Sequence, residues 1–474
     1  MASSSSAVPF LFPETNSTIL PNPSKFFSPH LLSSPLPTNS FFQNCTLKKG
    51  DQPEFIHPYL IQASQTSLSI CHPSRVATPS FIYQKFVPNI TISSHCKTKK
   101  NHVISSYSDL SVTLDYPPNL QFFLVRGSPY VTCSVASKTP ISISAGHDIR
   151  SVSPTGSHKK HTIKLDNGQT WLLYSSSRIN LMRSGNRLTS DGFCGVVRLA
   201  ILPDPRFETI LDRFSSCYPV SGDAAFRKPF CLEYKWETKG LRHLLLLAHP
   251  LHLQLLSSDD CDVEVLDKLI YESMDGVDNK SIPELVSALI TDVEGGLTEF
   301  VDGRNQESTS EAVNAYYSAA LLGLSYGDME LVAISSTIAA MEIQAAQTWW
   351  HIKEGSGRQY EHEFSKQSRV VGVLWANKRD SGLWFAPPDW RECRVGIQVL
   401  PLSITEVLFS DLVFARELVK WVSPALATEK WKGFAYALEG LYNKESALQK
   451  IRSLKKYDDG NSRTNLLWWI HSRN

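Results

Sequence analysis

From about Ser105 to Leu202 the chain runs in short stretches of alternating apolar and polar positions, broken by turn signals. SDLSVTLDY, LQFFLVRG, YVTCSVA and ISISA show partial period-two alternation, which is the pattern of half-buried strands. HTIKL and QTWLLY flank DNG, predicting a hairpin with an Asn-Gly turn, and GFCGVVRLAIL supplies a further strand. Many short strands at close spacing, with no helices between them, predict a β-sandwich.

The pattern then changes. A transitional stretch from about Pro203 to Glu294 holds PFCLEYKWETKG, the apolar run LRHLLLLAHPLHLQLL and a helix over IPELVSALITDVE. After Gly295 the apolar spacing is helical, with segments near 311–325, 329–350, 404–421, 429–442, 445–454 and 463–472. Ser403-Ile-Thr-Glu406 reads as a capping box for the third of these. Between the second and third lies a Gly- and Trp-bearing loop, 351–402, too long to be a mere connector. Residues 1–34 are rich in Ser and Pro and read as a disordered leader. The expected organisation is multidomain β plus α. It comprises the leader, a β-sandwich over 35–225, a small α/β linker over 226–294 and a helical domain over 295–474.

Composition narrows the partners. The 474 residues are 42% hydrophobic and 20% charged, with 47 basic against 46 acidic side chains and a formal charge of +1. Near-neutrality gives no electrostatic reason to expect nucleic acid or an anionic membrane, and no run approaches the roughly 18 apolar residues of a membrane span. Nine cysteines, odd in number and never in a CxxC pair, imply neither a metal knuckle nor a disulfide framework. The N-terminus has no basic n-region and its apolar stretch is broken by proline, so it does not read as a secretory signal.

Candidate chemistry gathers in DGRNQESTSEAVNAYYSAALLGLSYGD, Asp302 to Asp328. Glu307 and Glu311 are spaced i, i+4, which puts them on one face of a helix, roughly 6 Å apart at Cβ. One reading is structural: Ser308-Thr-Ser-Glu311 fits a capping box. It leaves Glu307 unexplained, together with Asp302, Arg304, Asn305 and Gln306 beside it. The other reading is catalytic. AVNAYYSAALLGL has apolar residues on nearly every side and predicts a helix buried all round, whose mouth would hold the carboxylates in a cleft. Burial and mutual repulsion raise a carboxyl pKa and suit acid–base work, and glycoside hydrolysis needs two such groups. Nine of the eleven tryptophans fall from Trp349 onward. Those at 421, 431, 468 and 469 lie in predicted helices and read as core. Trp375, Trp384 and Trp390, in the loop VLWANKRDSGLWFAPPDWRECR, are candidates to line a cleft.

At this point the residues resemble a known family. RNQESTSEAVNAYYSAALLGLSYGD, AAQTWWHIKEG, RVVGVLWANKRDSGLWFAP, WKGFAYALEGLY and DDGNSRTNLLWWIHSR are similar to glycoside hydrolase family 81 in its plant form. PLPTNSFFQN, GDQPEFIHPYLI, RFSSCYPVSGDAAF, KPFCLEYKWETKG and LLLAHPLHLQLL resemble the same family's N-terminal half. The resemblance implies an endo-β-1,3-glucanase acting on callose- or laminarin-like glucan with inversion. It implies a β-sandwich, an α/β linker domain and a C-terminal (α/α)6 barrel. By the QES-x-SE match, Glu307 corresponds to the general base and Glu311 to its essential helper. Asp302, Asn305, Trp375, Trp384 and Trp390 are then the substrate-binding candidates. No metal or organic cofactor is implied, a monomer is expected, and the substrate class points to the cell wall.

The chain departs from the family pattern at one place. After LIYESMDG, Leu269 to Gly276, the family continues into a long segment with several barrel helices and the motif that supplies the general acid. It ends in a run like HSWAGGLTEF. Here IPELVSALITDVE joins GGLTEF directly at Glu294–Gly295. The helical patterns from Gly295 onward number about six, where a closed barrel of six hairpins needs twelve, so an incomplete barrel is expected. Neither Asp275 nor Asp302 is placed by the sequence opposite Glu307. Two readings remain: a glucanase whose acid-bearing exons are lacking in this chain, or a short form that binds glucan without cleaving it. A product of a decaying gene is a third.

Overall fold

The computed structural model describes residues 27–33, 53–72, 74–95, 100–241, 243–247, 299–300, 303–355, 360–375 and 378–472. The expected leader (before Phe27), most of LRHLLLLAHPLHLQLL, the helix over IPELVSALITDVE, and Asp302 lie outside them. The described residues divide into two compact units. One is drawn from Met1–Pro73, Phe86–Ala224 and Tyr234–Glu272, the other from Ser74–Lys85, Ala225–Glu233 and Ser273–Asn474.

The first unit is β-rich and is built on one 13-stranded sheet. Its spine is a pair of long antiparallel strands, Val131–Ala145 and Arg187–Leu202, in register from Val131↔Leu199 to Ser144↔Arg187. The first of these changes its outer neighbour along its length. Thr132–Val135 pairs with Leu120–Val125, while Ile141–Ala145 pairs with Ile90–Ser94. Register shifts at Val135/Thr139 and Pro140/Ser142 permit this, because an extra residue bends the bulged strand. YVTCSVA and ISISA, which read as separate runs, are therefore parts of one strand. The DNG hairpin forms as the sequence predicts, with Thr162 opposite Leu172 and Gly168 at φ +88°, where a side chain would be strained. Sequence alternation did not single out the strands between Glu54 and Ser94, among them Tyr59–Ala63 and Ser67–Cys71. Ile61, Leu68, Ile92, Val112, Phe122, Trp171 and Leu199 belong to one buried core. A short helix, α1 (Glu208–Phe214), follows. Where the sequence predicts an α/β linker, the described residues form a two-stranded ribbon, Cys217–Lys228 with Cys231–Gly240.

The second unit is mainly helical, with nine α-helices among the described residues. They are α2 (Thr309–Tyr326), α3 (Met329–Ala345), α4 (His362–Gln367), α5 (Arg391–Gln398), α6 (Thr405–Leu408), α7 (Leu412–Val422), α8 (Glu429–Glu439), α9 (Lys444–Ser453) and α10 (Arg463–His471). It also holds a six-stranded sheet in the order Glu299–Phe300, Gly303–Gln306, Val373–Trp375, Lys378–Asp380, Phe81–Lys85, Ser74–Ala77. The last two strands come from far upstream, which local periodicity does not reveal.

Three expectations are corrected. The helix expected over 404–421 is two helices. Ser403 does not cap the first, whose N-cap is Ile404 without a side-chain bond, whereas Asp411 accepts from Val413 N and Phe414 N at 3.0 and 3.1 Å and starts α7 afresh. The stretch 351–402 is not one loop, since it contains α4, α5 and two strands. Nor is α2 buried all round: Val313, Tyr316 and Gly323 are buried, but Leu321, Leu322, Leu324 and Tyr326 are exposed. The α2–α3 turn itself follows local chemistry. Gly327 takes the left-handed C-cap conformation at φ +71°, and Asp328 caps Glu330 N and Leu331 N.

Candidate active site

Glu307 occupies the junction between the strand Gly303–Gln306 and α2. Both flanks of the junction are fastened. Upstream, Gln306 donates through Nε2 to Glu342 Oε1 on α3 at 2.6 Å, and both side chains are buried. Downstream, Ser308 caps the helix, accepting from Glu311 N at 3.2 Å, so the serine half of the capping box is real. The hydroxyls of Ser308 and Ser310 donate to Ile397 O at 2.7 and 2.9 Å. Gln398, 1% exposed, donates from Nε2 to Glu307 O at 2.6 Å and accepts from Thr309 N and Oγ1 at 2.8 and 2.7 Å. The C-terminal end of α5 thus grips the backbone that carries Glu307. Close packing of α5 on α8 depends on Gly396, where a Cβ would meet the Trp431 ring at 2.5 Å.

The Glu307 carboxylate is half-buried, and its Oε1 accepts from the Trp384 main-chain N–H at 2.6 Å. Its proton affinity is raised, first by burial and further by the charge of Glu311, while the Trp384 amide opposes the rise. Glu311 lies exposed in the first turn of α2, where the helix N-terminus favours a negative charge. A carboxylate with raised affinity, held in place at one oxygen, is equipped to accept a proton from water.

The tryptophan candidates separate. Trp384 is 43% exposed, and its indole Nε1 donates to Asn305 Oδ1 at 2.8 Å. Trp390, 49% exposed, sits at the N-cap position of α5. Trp375 is buried, opposite Asn305 in the sheet, with Lys378 Nζ 5.7 Å from its ring centre. Asn305 is buried too. Sequence reasoning missed Gln398, Phe385 and Arg394. Phe385 is exposed beside Trp384 and stacks on Trp431 with centroids 5.9 Å apart. Arg394 is fully buried, donates to Pro388 O at 3.2 Å and lies over Trp421 at 4.8 Å. A lone amide inside the apolar run VGIQVL was the signal for Gln398. Among the described residues no group of three or more His, Cys, Asp or Glu could hold a metal ion, and no helix is long and apolar enough to cross a membrane.

Comparison with known proteins agrees with this arrangement of a β-rich unit and a helical one. Residues 22–282 match the glycosyl hydrolase family 81 N-terminal domain, and residues 293–470 the family 81 C-terminal domain. A glucan endo-1,3-beta-D-glucosidase of Glycine max is 44% identical over an alignment of 657 positions that covers 98% of each chain. The enzyme of the same name from Thermobifida fusca is 27% identical over 183 residues, 37% of this chain and 23% of its own. A solved structure of a family 81 glycoside hydrolase from Clostridium thermocellum superposes with a TM-score of 0.71 at 12% identity, covering 92% of this chain and 86% of that one. With both domain models matched and near-complete coverage of a plant relative, the chain belongs to glycosyl hydrolase family 81.

Proposed function

We propose that this chain carries the glucan-binding and water-activating half of an inverting endo-β-1,3-glucanase, and that the proton-donating half is missing from it. The observation that carries the first part is the state of Glu307. It is half-buried, raised in proton affinity and fixed through one oxygen by the main-chain amide of Trp384, whose exposed indole bonds Asn305. In this reading Glu307 is the general base and Glu311 assists by holding up its proton affinity. Trp384 and Trp390 offer flat faces to the apolar sides of glucose units. Asp302, outside the described residues, stays a substrate-binding candidate, and Trp375 is buried in the sheet opposite Asn305. In this reading the N-terminal sandwich takes 35–225, the linker 226–294 and a partial (α/α)6 barrel 295–474.

The missing half is supported by length. About 465 residues of this chain (98% of 474) align over 657 positions, which leaves about 190 positions of the soybean relative facing gaps. The exposed leucines of α2 support it too, because apolar surface of that extent is ordinarily covered. An inverting hydrolase without its acid must expel an unprotonated alkoxide, and general acid help is worth about 10²–10⁴-fold. The expected outcome on native glucan is therefore retention without cleavage.

A leaving group that needs no proton separates the two halves. The chain should release no oligosaccharide from laminarin above a Glu307→Gln control, yet hydrolyse a 2,4-dinitrophenyl β-laminarioside in a Glu307-dependent way. Laminarin turnover abolished by Glu307→Gln would refute the absent acid. Hydrolysis of the activated glycoside that survives Glu307→Gln, or none at all, would refute the assigned base.

A further inference from the structure

Asn305 and Trp384 were both natural candidates to touch sugar, yet they are bound to each other. We propose that Asn305 is a positioning residue for Glu307 that acts through Trp384. Its side-chain oxygen anchors the indole and so keeps the Trp384 main-chain amide on the Glu307 carboxylate. The inference rests on reading Glu307 as the base.

The geometry closes a small ring. Asn305 and Glu307 are two positions apart, at the end of the strand Gly303–Gln306 and just beyond it. From Trp384 one donor, the indole Nε1–H, reaches Asn305 Oδ1 at 2.8 Å, and a second, the main-chain N–H, reaches Glu307 Oε1 at 2.6 Å. Trp384 lies in the irregular stretch 381–390, so nothing in a helix or ladder fixes that amide. Other ties in the stretch are made by its neighbours: Gly382 N to Asp380 Oδ1 at 2.8 Å, Leu383 N to Ala386 O at 2.8 Å across the turn that carries Trp384, and Arg394 Nη2 to Pro388 O at 3.2 Å. The indole bond is a side-chain tie on the same residue as the catalytic contact. Ordering a loop residue costs conformational entropy, and a bond made by its own side chain offsets that cost where it matters. Asn305 is buried and Trp384 is not, so the fixed member of the pair is the asparagine.

The latch bears on protonation. Among the described residues the charged group recorded against Glu307 is Glu311 of α2, which disfavours ionisation, as burial does. Helix α5 presents the neutral Gln398, and that to the main chain. The Trp384 amide is the group that favours the carboxylate form. Loosening it must drive the proton affinity of Glu307 further up.

The test reads Glu307 directly and needs no turnover. In protein carrying carboxyl-13C glutamate, the Glu307 resonance is the one that vanishes in Glu307→Gln, and its titration midpoint is followed in Trp384→Phe, Asn305→Ala and the double variant. Trp384→Phe removes the indole donor, keeps an aromatic ring at an exposed position, and carries the test alone if Asn305→Ala folds poorly. The expected result is a rise of about one pH unit in each single variant, the scale of a weakened charge-assisted hydrogen bond. The double variant should rise no further, since both substitutions break one bond. An unmoved midpoint in Trp384→Phe, or shifts that add, overturns the proposal. Failure of the base assignment would appear separately, as activated-glycoside hydrolysis indifferent to Glu307→Gln.

Discussion

Gln398 and Glu307, 91 residues apart in sequence, are joined by a 2.6 Å bond from the glutamine side-chain amide to the glutamate carbonyl. The same amide's oxygen accepts from Thr309 N and Oγ1, so one buried side chain holds the backbone on both sides of the α2 N-cap. Gln398→Met keeps length and removes all three bonds, leaving the Glu307 carbonyl and the Thr309 amide unpaired. Each such orphan costs about 1–3 kcal/mol, so a loss of roughly 2–4 kcal/mol in urea unfolding of the helical unit is expected. A loss under about 0.5 kcal/mol would show that this clamp is replaceable by water.

Glu307 should be a stability liability at neutral pH. Its folded-state proton affinity is raised, so the native state holds its proton more tightly than the unfolded chain does. That contribution is present in acid and is lost as pH climbs from the unfolded value, about 4.3, through the higher folded value. Glu307→Gln removes the charge and keeps an oxygen for the Trp384 amide. Its Tm should exceed that of the parent at pH 7, and the advantage should shrink toward pH 4. An equal or lower Tm at pH 7 would show that the carboxylate is not under the pressure assigned to it.

What was legible in the sequence follows from how local each signal is. The Asn-Gly hairpin and the Ser308 N-cap depend on a few adjacent residues, and both were visible in the sequence. The pairing of Phe81–Lys85 with Lys378–Asp380 depends on residues nearly 300 apart, which no window of periodicity samples. Helix α5 was read as loop because it is only eight residues long and buries polar side chains, Glu392, Arg394 and Gln398, where an apolar stripe would mark a helix. The carboxylate pair was legible as a pair. That Asn305 answers to an indole was not, since spacing says nothing of what a side chain will bond.

Acid should weaken the helical unit through His351. This ring is fully buried, stacked on Phe414 at 4.2 Å and Phe409 at 5.2 Å, and burial pushes its pKa down to about 3, with Lys353 adding to the fall. A lowered folded pKa means that the unfolded state binds the extra proton first. Stability from the neutral ring is complete above about pH 6.5 and drains as pH falls toward 3. At pH 4 the loss from this one group is roughly 3 kcal/mol, at 1.36 kcal/mol per pH unit. His351→Phe keeps the stack without the titration. It should cost less than about 1.5 kcal/mol at pH 7 and flatten the decline between pH 6.5 and 4 in denaturant titrations. An acid limb identical to the parent's would clear His351 of the effect.

The apolar end of the α2–α3 hairpin supplies the remaining prediction. Leu321, Leu322, Leu324, Tyr326 and Met329 are 44%, 51%, 58%, 82% and 60% exposed, five large apolar side chains within nine residues. Single exposed leucines are ordinary, but a contiguous set is characteristic of a surface that something else covers. The soybean relative, with about 190 positions facing gaps in this chain, has the length to cover it. This chain should bind a hydrophobic dye such as ANS strongly and associate as its concentration rises, and Leu322→Gln with Leu324→Gln should reduce both. Inserting the soybean segment between Glu294 and Gly295 should abolish dye binding and yield the monomer that the sequence led one to expect. Dye binding at the level of an ordinary folded monomer, unchanged by the insertion, would mean that the chain already covers this face and that the barrel lacks nothing there.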